Sequence, residues 1–249
     1  MAQGLKVGDR IYVPRARLGL SVDAPSAFVQ TTVRAVEDRS VVVDLPGSNP
    51  PQSKSIASSA ARSNIGVLIV RIGDFDTETT LLDPLAKSLL QFCRLLVTDE
   101  AALLREVRSR DELKRFWQQD HGAYSHLILV GHGRRDGIRF GHDDWISAGE
   151  LATLLEEPDA KEKIVISLCC ENGYAAFGQA LSRGNASQAV FGPFDSIHGA
   201  VASQFCQTFL TYHLLQGETL KVASRHARAA VPGASSFRLW VNGRLETGG

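Results

Sequence analysis

The chain has 249 residues, 44% of them apolar and 22% charged, which suits one large globular domain or a medium domain with a small appendage. Lysine plus arginine equals aspartate plus glutamate at 27 each, and a net charge of zero argues against a general nucleic-acid surface, since Arg134 and Arg135 alone make no phosphate track. No apolar run reaches the roughly 18 residues that span a bilayer, so no membrane association is expected.

The start of the chain, MAQGLKVGDRIYVP, lacks the basic residues and apolar stretch of a signal peptide. The four cysteines have no regular spacing, so a disulfide framework is not expected. Both features point to a reducing cytoplasm, where a thiol stays available for chemistry.

Residues 1–45 contain short runs rich in Val, Thr, Ile and Tyr (KVGDRIYVP, AFVQTTVRAVE, RSVVVDLPG) bounded by Gly, Pro and Asp. They read as a small β-barrel or β-meander. Residues 46–64 are dominated by Pro, Ser, Gly, Ala and Asn and read as a flexible linker, with Lys54 and Arg62 as exposed, cleavable positions.

From residue 65 strands alternate with helices. IGVLIVRIG (65–73) is a strand apolar on both faces. Leu82, Leu85, Leu89, Phe92 and Leu96 form a helical stripe with Pro84 in the first turn, with a second strand starting near 93–98 as the alternative, and DEAALLREV and RDELKRFWQQ are further helical candidates. SHLILVGHG (125–133) is a second buried strand, and GIRFGHDDWI reads as a hairpin. Ser147 and Glu150 have capping-box spacing at the start of a helix. KIVISLCC (163–170) and SQAVFGPF are the third and fourth strands, two helices follow, and SSFRLWVNG is a last strand. This alternation implies a central, mainly parallel sheet with helices around it, an α/β domain over 65–249 with a small all-β segment before it.

Ligands gather beyond the carboxyl ends of parallel strands. His132 closes the strand at 125–131, and Cys169 and Cys170 close the strand at 163–168. An imidazole beside a thiol is the pairing that a thiolate nucleophile needs. Gly133 lets substrate approach closely, and its backbone N–H with that of Cys170 would form an oxyanion hole. Alternation puts Cys170 and Cys169 on opposite faces without choosing between them. Cys170 is preferred because it lies nearer the open edge and directly precedes Glu-Asn-Gly, leaving Cys169 as a packed thiol. Cys93 and Cys206 fall on apolar helix faces, and the cysteine spacing supplies no zinc site. No metal or organic cofactor is expected. Gly-x-Ser-x-Gly and phosphate-loop motifs are absent from the sequence.

Residues 65–232 resemble the CHAT family of caspase-like cysteine peptidases. LILVGHG is similar to that clan's histidine motif and VISLCCENG to its cysteine motif, an alignment that places the nucleophile at Cys170. GIRFGHDDWISAGELATLL is similar to the segment after the histidine, and the run from AVFGPFDSIHGA to SRHARAA is similar to the strand, acidic loop and paired helices that end the domain. The double cysteine and the Arg134-Arg135 loop depart from the pattern, and the N-terminal β segment lies outside it. The resemblance implies a caspase-like three-layer sandwich and hydrolysis of specific protein targets by a Cys170–His132 dyad. It also implies switching by an activating protein partner, a ligand or self-cleavage, in bacterial defence or cell death. It suggests a charged pocket for the residue before the cut, with Asp195 as its acid and Asp136, Asp143 and Asp144 as rivals. The alternative is a catalytically silent binding or scaffold module that kept the fold.

Overall fold

The computed structural model describes residues 5–21, 28–74, 76–97, 101–142, 144–157 and 163–246. Strands β1 (Arg10–Pro14), β2 (Phe28–Val36), β3 (Ser40–Asp44) and β4 (Ser53–Ala57) form an antiparallel sheet in sequence order. A short helix α1 (Arg15–Leu18) follows β1. Alternate residues Ile11, Val13, Val41 and Val43 turn inward with Leu18, Val33 and Ile56 to make a separate small core.

Strand β4 lies inside the span expected to be a linker, which corrects that expectation. Its sequence, SKSIA, carries one apolar residue that reaches the core, so composition hides it. The ladder to β3 and the burial of Ile56 hold it. Further on, the Tyr12 N–H donates to the Arg62 carbonyl at 2.7 Å and the Arg62 N–H donates to the Tyr12 carbonyl at 3.0 Å. Lys54 is therefore a ladder residue opposite Val43, and the Arg62 guanidinium is buried, donating to the His213 carbonyl at 3.0 Å. Neither is the exposed cleavage position that the composition suggested.

The remainder is built on a seven-stranded sheet. Its strands are β5 (Val67–Ile72), β6 (Ala102–Val107), β7 (His126–Val130), β11 (Ile164–Ser167), β12 (Ala189–Pro193), β13 (Phe237–Val241) and β14 (Arg244–Leu245). The order is β14-β13-β12-β11-β7-β5-β6, parallel from β12 to β6 and antiparallel at β13 and β14. The segment 99–107, expected to be helical, forms strand β6 over Ala102–Val107, residues 99 and 100 lying outside the described residues. Pairing along all six residues of β5 overrides the helical preference of its Ala, Leu and Glu. A separate three-stranded antiparallel sheet, β8 (His132–Arg134), β9 (Gly137–Phe140) and β10 (Asp144–Ser147), follows β7.

Helices cover both faces of the large sheet. On one side α2 (Asp83–Leu96), α6 (Gly199–Leu210) and α7 (Leu220–Ala230) pack Leu89, Phe205, Phe209 and Ala223 against Ile69, Ile128, Ile166 and Phe191. On the other, α3 (Arg110–Asp120), α4 (Ala148–Leu154) and α5 (Ala180–Arg183) pack Leu113, Trp117, Leu151 and Leu181 against Leu68, Leu127, Val165 and Trp240. The capping box expected at Ser147 and Glu150 starts α4, and Ser109 and Glu112 make another at α3. Among the described residues no helix is long and apolar enough to cross a membrane. The fold is thus mixed α/β, with a mostly parallel central sheet and an antiparallel N-terminal sheet.

Candidate functional site

Strands β7 and β11 are direct parallel neighbours, with Leu129 opposite Ser167, so their carboxyl ends emerge side by side. Beyond β7 the chain passes Gly131 to His132, the first residue of β8, and beyond β11 it passes Leu168 and Cys169 to Cys170 in a turn. A Cβ on Gly133 would lie 2.5 Å from the Cys170 carbonyl oxygen and 2.7 Å from Cys169 Cβ. Only glycine permits that approach, and it brings the histidine hairpin directly against the cysteine turn.

The two adjacent cysteines have different environments. Cys169 is fully buried on the α3–α4 side of the sheet, and burial pushes its thiol up to about 12. Cys170 is half-buried. Cys93 and Cys206 are buried between helices, and burial raises both thiols. Reactivity follows thiolate character and access, so of the four only Cys170 has the access that a nucleophile requires.

His132 is held by residues from the end of a third strand, β5. Its Nε2 lies 2.9 Å from Asp74 Oδ2 and 2.6 Å from Thr77 Oγ1. The Thr77 hydroxyl donates to Asp74, 3.0 Å from Oδ1, so its oxygen accepts from the ring. Both contacts require the proton on Nε2 and leave the Nδ1 lone pair of the neutral ring free. Asp74 is only 1% exposed and also accepts from the Thr77 N–H at 2.7 Å, the Asp76 N–H at 2.9 Å and Arg139 Nη2 at 2.5 Å. Burial works against its charge. The Thr77 and Arg139 bonds and the nearby imidazole outweigh burial and hold the carboxyl down at about 2. For His132, burial lowers the pKa below the usual imidazole value, with Asp74 opposing and Arg139 adding to the fall.

The cysteine turn has its own support. Asn172 is fully buried. Its Oδ1 accepts from Ser167 Oγ at 2.7 Å, and its Nδ2 donates to the carbonyls of Arg134 at 2.8 Å and Gly137 at 3.2 Å. Glu171, between Cys170 and Asn172, has φ +60°, a left-handed conformation unusual for a residue with a Cβ and a form of strain that clusters at functional turns. The Glu171 N–H faces the Asp195 carbonyl at 3.4 Å, so Asp195 borders the turn through its backbone while its side chain is exposed.

No family model matches the chain, and no curated protein matches it either.

Strand order brings Cys170, His132, Gly133 and Asp195 to one edge of the sheet. Of the rival acids, Asp136 pairs with Arg134 and Asp144 with Arg110, while Asp143 lies outside the described residues. Sequence reasoning missed Asp74, Thr77, Arg139 and Asn172. Asp74 carried a usable signal, since it stands two residues past a fully buried strand, as His132 does past β7. Arg139 carried none, because only the hairpin brings it in, whereas Thr77 stands three residues past Asp74 and binds it locally.

Proposed function

We propose that the chain is a cysteine endopeptidase with a caspase-like arrangement, in which Cys170 is the nucleophile and His132 the proton carrier. The observation that carries this reading is the clamp on His132 Nε2 by Asp74 and Thr77, beside the turn that presents Cys170. It leaves Nδ1 to exchange a proton with the thiol. The Cys170 thiolate adds to the scissile carbonyl, the tetrahedral oxyanion takes hydrogen bonds from the backbone N–H groups of Gly133 and Cys170, and the imidazolium protonates the leaving amine. Water then hydrolyses the thioester, with His132 taking its proton. Strand β8 is the edge of its sheet, so one side of the Gly133 backbone is unpaired by β9. Asp195 borders the site as an acid for the residue before the cut. The setting we infer is cytoplasmic, with a protein substrate and an activating protein partner.

Labelling with acyloxymethyl ketones carrying Arg, Lys, Asp or Leu tests the reading. Covalent labelling that survives in Cys169→Ala and disappears in Cys170→Ala is expected. Labelling that persists in Cys170→Ala, or a Cys170 that alkylates no faster than a free thiol while every ketone fails, would favour a binding module instead.

A further inference from the structure

Tyr174 stands four residues beyond Cys170 in the same turn, and its ring stacks on Phe194 with centroids 3.9 Å apart and 18° between planes. Phe194 directly precedes Asp195. Two arginines close this aromatic pair, one at each end. Arg238 has its Cζ 5.4 Å from the Phe194 centroid, and its Nη1 is tied to the Ser235 carbonyl at 2.7 Å, which makes it a fixed bracket. Arg135 is different. Its Cζ is 4.6 Å from the Tyr174 centroid, its Nε is 3.4 Å from Glu171 Oε1, and its side chain is 64% exposed. It comes from the two-residue turn between β8 and β9, so an exposed rotamer change is enough to move it away.

An aromatic face backed by a second ring, with a carboxylate at its rim, matches a guanidinium or ammonium and gives a neutral side chain no comparable partner. The chain already seats one of its own guanidinium groups there, within four residues of the candidate nucleophile. We propose that Tyr174 and Glu171 form a subsite for an arginine or lysine side chain of the substrate, and that Arg135 occupies it in the absence of substrate. This deepens the peptidase reading of Cys170 and rests on it for the identity of the ligand as a peptide. Arg135 then acts as an internal competitor that a basic substrate side chain displaces.

The test uses the full chain carrying Cys170→Ala, so that binding is read without catalysis. N-acetyl-arginine amide and N-acetyl-norleucine amide are titrated while the backbone amide resonances of residues 170–174 are followed. Arginine amide is expected to shift these resonances saturably and norleucine amide to leave them in place. Arg135→Ala should tighten arginine amide roughly threefold to thirtyfold, the range of an exposed cation–aromatic contact plus an ion pair. Tyr174→Leu and Glu171→Gln should each weaken it. Equal shifts by both amides, no saturable shift, or weaker binding in Arg135→Ala overturns the subsite. Ketone labelling of the wild-type chain reports separately on the peptidase reading. Selective binding without labelling defeats that reading alone, and labelling without selectivity defeats the subsite alone.

Discussion

The Asn172 Nδ2 donates to the Arg134 carbonyl at 2.8 Å, and this bond ties the turn behind Cys170 to the hairpin that starts at His132. The same side chain reaches the Gly137 carbonyl and accepts from Ser167 at the end of β11. One buried amide thus spans both halves of the candidate site. A hydrogen-bonded strut of this kind fixes two catalytic elements relative to one another, where a packed apolar side chain would let them slide.

Asn172→Ala is expected to lower stability by about 1–3 kcal/mol, because it removes the buried acceptor of the Ser167 hydroxyl and one donor to each of the Arg134 and Gly137 carbonyls. Urea unfolding measures this. The same variant should lose Cys170 labelling out of proportion to its stability, since the hairpin and the turn are no longer joined. Full labelling in a folded Asn172→Ala protein would show that the strut serves stability alone.

Gly133→Ala tests the close approach directly. The added methyl would lie 2.5 Å from the Cys170 carbonyl oxygen, a backbone atom that cannot rotate away. Overpacking of this kind costs on the order of 1–3 kcal/mol and displaces the hairpin. Gly149→Ala, where the nearest atom is 4.0 Å away, is the control and is expected to keep labelling and to hold or raise stability, since alanine is the better helix former.

Asp74→Asn should lower the pKa of His132 further. The carboxylate favours the protonated ring and Arg139 opposes it, so removing the carboxylate leaves burial and the arginine acting together. Nuclear magnetic resonance titration of the His132 ring reads the shift, which must be downward. Ketone labelling should slow by at least about tenfold, because general acid–base catalysis depends on the proton affinity of the ring. Thr77→Val keeps the carboxylate and should slow labelling less, without a comparable fall in the pKa. An unchanged or higher His132 pKa in Asp74→Asn would remove Asp74 from its orienting role.

The alternation of buried strands with helices was legible from residue 65 because each parallel strand is apolar on both faces, and His132 and Cys170 stood out as polar residues at their ends. What composition concealed was long-range. Strand β4 carries only Ile56 as a core residue, so its Ser and Lys neighbours read as linker until the ladder to β3 is known. Strand β6 reads as helix because Ala102, Leu103, Leu104 and Glu106 have no strand preference of their own, and β5 imposes the pairing. Asn172 was visible in the Glu-Asn-Gly triplet, but its role depends on the Arg134 and Gly137 carbonyls, more than thirty residues away. Arg62 gave the opposite lesson, since a basic residue in a Ser- and Ala-rich stretch turned out to be buried against His213.

The burial of Arg62 against His213 also bears on acid stability. The rings of His126 and His213 lie 5.5 Å apart, and Arg62 Nη2 donates to the His213 carbonyl at 3.0 Å. The His213 Nδ1 is 2.7 Å from the Glu218 carbonyl, and the His126 Nδ1 is 2.8 Å from Ser125 Oγ, so the described partners facing these rings are neutral or cationic. Burial first, then the Arg62 charge, lowers His213 to about 3, and burial, His213 and Arg62 lower His126 well below its usual value. The unfolded chain therefore binds more protons than the folded one between about pH 3 and 6.5, so stability falls as pH drops through 6.5. The slope is roughly 1.4 kcal/mol per pH unit for each histidine. Asp74, held down at about 2, contributes stability that is present above about pH 4 and is lost only below it, so above pH 4 the slope comes from the histidines and not from Asp74. Urea unfolding between pH 7.5 and 5 should show an uptake of about two protons from this pair, and His213→Phe should reduce that uptake by about one. An unaltered slope in His213→Phe would mean that His213 already exchanges its proton with solvent in the folded chain.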